Sequence, residues 1–201
     1  RDSAKAEQLT RGSAFTVQGF SWSPDGKRIA FSAPVNPDLT QSGTSDVYVL
    51  DLRCPSAPCL PKKIVDMPGP DGSPVWSPDG RQIAVSSQMG RAPYFSTNSR
   101  IAIVSADGGT LRSISDAFDE DVSPLEWTKD GIWFTSQQKT SRQLFRIDPA
   151  TQKVTQFTSA GTLLGAVSIT PDGSQIAVTT SSPTSLTEVS VTPARSWTPR
   201  K

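Results

Sequence analysis

The sequence contains no histidine and only two cysteines. Without histidine, the chain cannot build a Ser-His-Asp or Cys-His nucleophile pair from its own residues. A zinc site of the HExxH or Cys₂His₂ kind is excluded for the same reason. Two cysteines are too few for a Cys₄ zinc or iron–sulfur site. A charge excess is also missing: 20 Lys and Arg against 19 Asp and Glu leave a formal net charge of +1. The basic surplus of a dedicated nucleic-acid binder is therefore absent, and no nucleic-acid partner is expected. Long apolar runs are absent as well. The uncharged stretch 155–171 is full of Thr, Ser, Gly and Gln, so no membrane span is expected. The opening Arg1-Asp2-Ser3 has no basic stretch followed by an apolar run, and no signal peptide is expected there. Gly-x-Gly-x-x-Gly and EF-hand spacings are both missing, so no cofactor and no metal are expected.

What the chain has instead is turn chemistry. Pro numbers 17 and Gly 14, while charged residues make up only 19%. This composition favours β-structure over long helices. The length of 201 residues points to one domain, or two at most, and suffices for a real core. One pattern recurs. Its clearest copies are Trp22-Ser23-Pro24-Asp25-Gly26-Lys27-Arg28-Ile29-Ala30-Phe31 and Trp76-Ser77-Pro78-Asp79-Gly80-Arg81-Gln82-Ile83-Ala84-Val85. Trp127-Thr128-Lys129-Asp130-Gly131-Ile132-Trp133-Phe134 lacks the proline and is shorter after the glycine. Ile169-Thr170-Pro171-Asp172-Gly173-Ser174-Gln175-Ile176 carries Ile in the Trp position.

Each copy predicts a β-hairpin. Proline presets φ at the second turn position, aspartate bonds its own backbone, and glycine accepts positive φ. The regular placement of Asp25, Asp79, Asp130 and Asp172 is thus explained by turns rather than by calcium ligation. The tryptophans are expected as core packing between sheets rather than as ligand stackers. Third strands follow at 46–51, 100–104, 143–147 and 188–191, and short fourth strands at 63–65, 112–114 and 154–157. The chain is therefore expected to be all-β: a β-propeller of four-stranded antiparallel blades, about four blades present, as a single segment 1–201. The expected blades are 13–66, 67–116, 117–159 and 160–201, the last with its first three strands. Residues 5–12, with Leu9 at a matching offset, are expected as a fourth strand of a neighbouring or closing blade. A closed four-bladed ring and a slice of a larger propeller both fit this arithmetic. An open slice leaves apolar end faces and predicts self-association through them.

The Trp-Ser-Pro-Asp-Gly repeat resembles the WD-like repeat of TolB-type propellers and of the prolyl oligopeptidase family of serine peptidases. The stretches 42–49, 68–71, 116–121 and 182–189 are similar to the propeller domain of its bacterial acylaminoacyl- and dipeptidyl-peptidase-like members. The resemblance implies a partial ring capping an α/β-hydrolase domain of the same polypeptide, where a Gly-x-Ser-x-Gly elbow would carry the nucleophile. This chain has no such elbow, so no catalytic residue is expected in it. The implied function is non-catalytic: gating or selecting oligopeptide substrates for that hydrolase domain. The alternative is a TolB-like propeller acting as a protein-interaction module.

On this resemblance, Asp119, Glu120 and Asp121 are candidates to line the substrate route and attract a peptide's amino terminus, against a solvated interblade loop. Arg91, in the long connection 88–95, is a candidate to hold a substrate carboxylate or carbonyl, against a surface loop tucked by its own aromatics, and Tyr94 and Arg142 are further substrate-route candidates. Cys54 and Cys59 flank Pro55-Ser56-Ala57-Pro58 and are expected either as a loop-closing disulfide or as two free thiols. Bacterial cytoplasm and periplasm both fit; a disulfide favours the periplasm.

Overall fold

The computed structural model describes residues 6, 8–10, 15–35, 38, 43–54, 59–158, 163–182 and 184–198. Its strands are β1 (Phe20–Trp22), β2 (Arg28–Pro34), β3 (Ser45–Asp51), β4 (Lys62–Val65), β5 (Asp71–Trp76), β6 (Gln82–Ser87), β7 (Arg100–Ser105) and β8 (Arg112–Ser113). The remainder are β9 (Ser123–Thr128), β10 (Gly131–Gln138), β11 (Ser141–Ile147), β12 (Val154–Gln156), β13 (Leu163–Ile169), β14 (Gln175–Ser182) and β15 (Ser185–Pro193). They form four antiparallel sheets in chain order, β1–β4, β5–β8, β9–β12 and the three-stranded β13–β15. Among the described residues there is no α-helix, and none is long and apolar enough to cross a membrane.

The repeated turns explain the hairpins atom by atom. In the first, the Ser23 hydroxyl donates to the Asp25 carboxylate at 2.6 Å and accepts from the Arg28 amide at 2.9 Å. Ser77 and Asp79 repeat this geometry, as do Thr170 and Asp172. The turn glycines Gly26, Gly80 and Gly173 have φ of 67°, 68° and 69°, a left-handed conformation that a side chain disfavours. These carboxylates lie below the usual range because the turn hydroxyl and the following amide both donate to them. The third copy solves its turn differently. Gly131 has φ 131°, and a Cβ there would lie 2.5 Å from the Ile147 carbonyl oxygen. The Thr128 hydroxyl instead accepts the Trp133 indole N–H at 3.2 Å.

Sheets stack face to face in chain order. First strands lie beside one another, β1 by β5, β5 by β9 and β9 by β13, as around a propeller axis. Strand alternation sorts each sheet into two faces. The Trp76–Ile83–Val104 row packs back onto Ala30, Val47 and Val49 of the first sheet. The opposite row, Val75–Ala84–Ile103, packs forward onto Trp127, Ile132 and Ile147. Trp133 and Leu144 then meet Ile169, Ile176 and Val178. Polar links reinforce the first interface. The Trp76 indole N–H donates to the Ser21 carbonyl at 3.2 Å, and Arg28 lies 4.8 Å over the Trp76 ring.

At the start of the chain one expectation changes and another falls largely outside the described residues. Residues 8–10 pair with no strand among the described residues; Leu9 packs with Phe15 on Phe31, Ala33, Tyr48 and Leu50. The rest of the expected strand 5–12, apart from Ala6, lies outside the described residues. Trp22, expected in the core, is 54% exposed, whereas Trp76 is 4% and Trp127 8% exposed. The motif places all three on the backward face of their sheets. Only Trp76 and Trp127 have a described preceding sheet to press against. At the other end, Val189 and Val191 are exposed on the forward side of β15.

Truncation should therefore cost different amounts at equivalent motif positions. Trp76→Ala is expected to lose about 3–5 kcal/mol of stability. Trp22→Ala is expected to lose about 1 kcal/mol or less. Urea unfolding of both variants beside the parent measures the difference; equal losses would refute the backward-packing account.

Candidate functional site

The strand order places the Ser-Pro-Asp-Gly turns and the Cys54–Cys59 connection at one end of the sheets. The opposite end gathers the connections β4–β5, β6–β7, β8–β9, β10–β11 and β12–β13. All six candidate residues lie at this second end: Arg91 and Tyr94 in β6–β7, Asp119, Glu120 and Asp121 in β8–β9, and Arg142 at the start of β11. Cys54 and Cys59 are joined as a disulfide with Cα atoms 5.7 Å apart.

The acidic run is divided among three tasks. Asp119 faces the buried Arg100, whose guanidinium lies 3.9 Å from it and donates to the Phe118 carbonyl at 2.8 Å. Asp121 accepts from the Ser99 amide at 2.7 Å and from the Ser99 hydroxyl at 3.0 Å, tying β8–β9 to the start of β7. Glu120 is half-buried and makes no hydrogen bond or ion pair among the described residues. It lines a cleft of about 410 Å³ with Gln138, Lys139, Ser141, Gln143 and Leu163.

The basic candidates mostly hold loops. Arg91 is exposed and donates to the Gln88 and Asn98 carbonyls at 3.3 and 3.2 Å, bracing its own connection. Tyr94 lies against Gly69, where a Cβ would meet its ring at 2.6 Å. Arg142 donates to the Thr135 hydroxyl at 2.8 Å and to the Gly165 carbonyl at 3.3 Å. It shares a cleft of about 280 Å³ with Asp121 and Ser136, so those two candidates are brought together.

A third cleft, of about 460 Å³, runs between the first two sheets and includes Asp71, Gln88 and Asp121. Asp71 and Gln88 were missed as site residues. Asp71 follows a proline-glycine turn and opens β5, so its sequence context signals only a strand start. Its carboxylate accepts the Met67 amide at 3.0 Å through Oδ2, while Oδ1 has no partner. Burial pushes this carboxyl up to about 7, against the nearby Ser87 hydroxyl and the Met67 amide, which hold it down; Asp46 and Asp66 add to the rise. In sequence Arg100 marks only the head of an apolar strand, and its burial has no local signal.

A family model described as the TolB beta propeller domain matches residues 1–196. Dipeptidyl-peptidase 5 of Porphyromonas gingivalis is 31% identical over 146 residues, which is 71% of this chain and 21% of that protein. The chain thus spans about a fifth of that relative's length. Crystallographic TolB from Acinetobacter baumannii superposes with a TM-score of 0.68 at 21% identity, covering 90% of this chain and 42% of that one. A Mycobacterium tuberculosis puromycin-hydrolyzing peptidase gives a TM-score of 0.73 at 15% identity, covering 96% of this chain and 30% of that one. At such identities the two structures share the fold with this chain.

Asp71 sets a pH dependence. An unfolded aspartate titrates near 3.8, below the folded value of about 7. Between these values the folded chain keeps a proton that the unfolded chain has released, so stability falls as pH rises through the window. The slope approaches ~1.4 kcal/mol per pH unit. Asp71→Asn is expected to flatten this decline and to melt higher than the parent above pH 7. Thermal melts from pH 4 to 8 test it; superimposable profiles would remove the buried acid from the account.

Proposed function

The chain belongs to the TolB beta propeller domain family, and from that premise we propose that it serves as the non-catalytic propeller portion of a serine peptidase. The observation that carries this reading is the 31% identity to dipeptidyl-peptidase 5 over 146 residues. An α/β-hydrolase domain of the same polypeptide supplies the nucleophile, and the loop end of the propeller faces it. Oligopeptides that fit between the loops reach the hydrolase; folded proteins do not. Glu120, with its uncommitted carboxylate in a cleft at this end, attracts the peptide's ammonium group. The Cys54–Cys59 disulfide fits an oxidising compartment such as the periplasm. Exposed apolar residues at both ends of the stack, Trp22 in the first sheet and Val189 in the last, fit covering by further blades or by a second copy.

A TolB-like interaction module is the second reading, favoured by the family model and by the TM-score of 0.68 to TolB. A fluorophosphonate probe applied to the full-length polypeptide separates the two. Covalent labelling supports the peptidase; an unlabelled polypeptide supports the interaction module. In the labelled case, deleting the propeller should abolish the preference for short peptides over folded substrate. Glu120→Gln should raise KM for free-amine peptides about threefold to tenfold with kcat unchanged, as expected for lost uniform binding. An unchanged size preference would sink the gating role, and an unchanged KM would retire Glu120.

A further inference from the structure

The connection β8–β9 contains no strand or helix, yet it is closely held. The Phe118 ring anchors it in the core, meeting Phe134 and Phe145 edge-on with centroids 5.3 and 5.1 Å away. Three consecutive residues at the head of β7 hold the rest. The Asn98 side-chain amide donates to the Asp119 carbonyl at 3.1 Å. Ser99 bonds the Asp121 carboxylate, and its hydroxyl accepts the Val122 amide at 3.1 Å. Arg100 donates to the Phe118 carbonyl at 2.8 Å. Residues 118, 119, 121 and 122 are thus each bonded to the stretch 98–100. Glu120, in the middle of the run, is not, and it lines the cleft it shares with Gln138 and Leu163.

Arg100 is a costly residue for this task. It is 7% exposed, and its Nε has no partner. The acid that faces it, Asp119, lies 3.9 Å away and is 96% exposed. Taking a guanidinium out of water is unfavourable, and one distant, solvated carboxylate offsets little of that. The strand continues as buried Ile101, Ala102, Ile103 and Val104, so packing alone would be served better by an apolar residue at its head. What the guanidinium adds is direction, a bond to one carbonyl two residues before Glu120. The clamp is itself braced from behind. Arg91 donates to the Asn98 carbonyl at 3.2 Å and Gln88 to the Thr97 carbonyl at 2.9 Å.

We propose that Asn98, Ser99 and Arg100 are positioning residues that hold Glu120 in place at its cleft for the ammonium end of a peptide. They act through residues 118–122 and not by contact with the peptide. Asp119 and Asp121 then serve as tethers on either side of Glu120, one through its carbonyl and one through its carboxylate. A carboxylate on a loose connection would lose backbone freedom at every binding event, and the clamp removes that loss beforehand. The proposal rests on Glu120 being the residue that attracts the peptide's ammonium group, and it assigns the residues that make this possible.

The test joins hydrogen–deuterium exchange of the full-length polypeptide, read by mass spectrometry, to peptidase kinetics on the same samples. Arg100→Met keeps an unbranched apolar stem and removes the guanidinium. Asn98→Ala removes an exposed side-chain bond. Each should speed exchange across residues 118–122 about tenfold while leaving β10 and β11 unchanged. The melting temperature should move by less than about 3 °C, since the exposed Asp119 leaves no charge stranded in the interior. KM for free-amine peptides should rise about threefold with kcat unchanged. In a Glu120→Gln background neither substitution should raise KM further, because no carboxylate remains to be positioned. Unchanged exchange in both variants overturns the clamp. KM increases that persist in the Glu120→Gln background overturn it too, because the residues would then act without Glu120. Should Arg100→Met fail to fold, Asn98→Ala carries every comparison. An unchanged KM for Glu120→Gln itself overturns the premise about Glu120. The exchange result, which needs no activity, tells that failure from a failed clamp.

Discussion

Trp76 and Trp127 stand on the first strands of their sheets and press backward onto the sheet before. Ile169 does the same with a smaller side chain against Trp133 and Leu144. This contact orders the molecule. A four-stranded antiparallel sheet with two apolar faces is unstable alone and needs a neighbour on each side. A large aromatic on the inner strand fills the space where successive sheets converge. Because the motif repeats, every sheet presents the same backward face and a matching forward one. Stacking then propagates in one direction, as in other repeat architectures. The ends follow from the same rule: in the first sheet Leu9 and Phe15 cover Phe31, Tyr48 and Leu50 but leave Trp22 exposed, and the last presents Val189 and Val191 outward.

The turn and the wedge act at opposite ends of one hairpin. Turn chemistry sets the β1–β2 register so that Trp22 opposes Ile29, and the same holds for Trp76 with Ile83. Between the wedge and the loop end, β5, β9 and β13 take part in register shifts. A bulge bends its strand and re-aims the residues beyond it. In β5 the shift falls between Gly72 and Val75, separating the packed Trp76 from Asp71 at the cleft. The repeated half of each strand thus serves packing, and the half beyond the shift leads into the divergent connections. Asp121 lies in that region, lining one cleft with Gln88 and another with Arg142.

Most of the architecture was legible because turns and strand alternation are local. Ser-x-Asp-Gly requires only neighbouring atoms, and the short apolar runs after it predict the second and third strands closely. Fates of individual side chains were not legible. Asp119, Glu120 and Asp121 form one run in sequence, yet one faces Arg100, one ties down Ser99 and one stays uncommitted. Arg91 looked available for a ligand but braces the loop that carries it. Three residues in a row point in different directions, and only the neighbouring connection decides what each one meets.

The sequence by itself determined the repeat, the hairpins, the all-β propeller class and the absence of any histidine-based chemistry within the chain. Those follow from composition and from interactions spanning fewer than a dozen residues. Tertiary structure decided which tryptophans are buried, because burial depends on a preceding sheet and not on the motif. It also decided where unpaired polarity collects. Asp71 opens β5 and Gln88 follows β6, and nothing in their local sequence says that each would be buried with one side-chain oxygen left without a hydrogen bond. Desolvation is a property of everything packed around a group, so it appears only when the sheets are stacked.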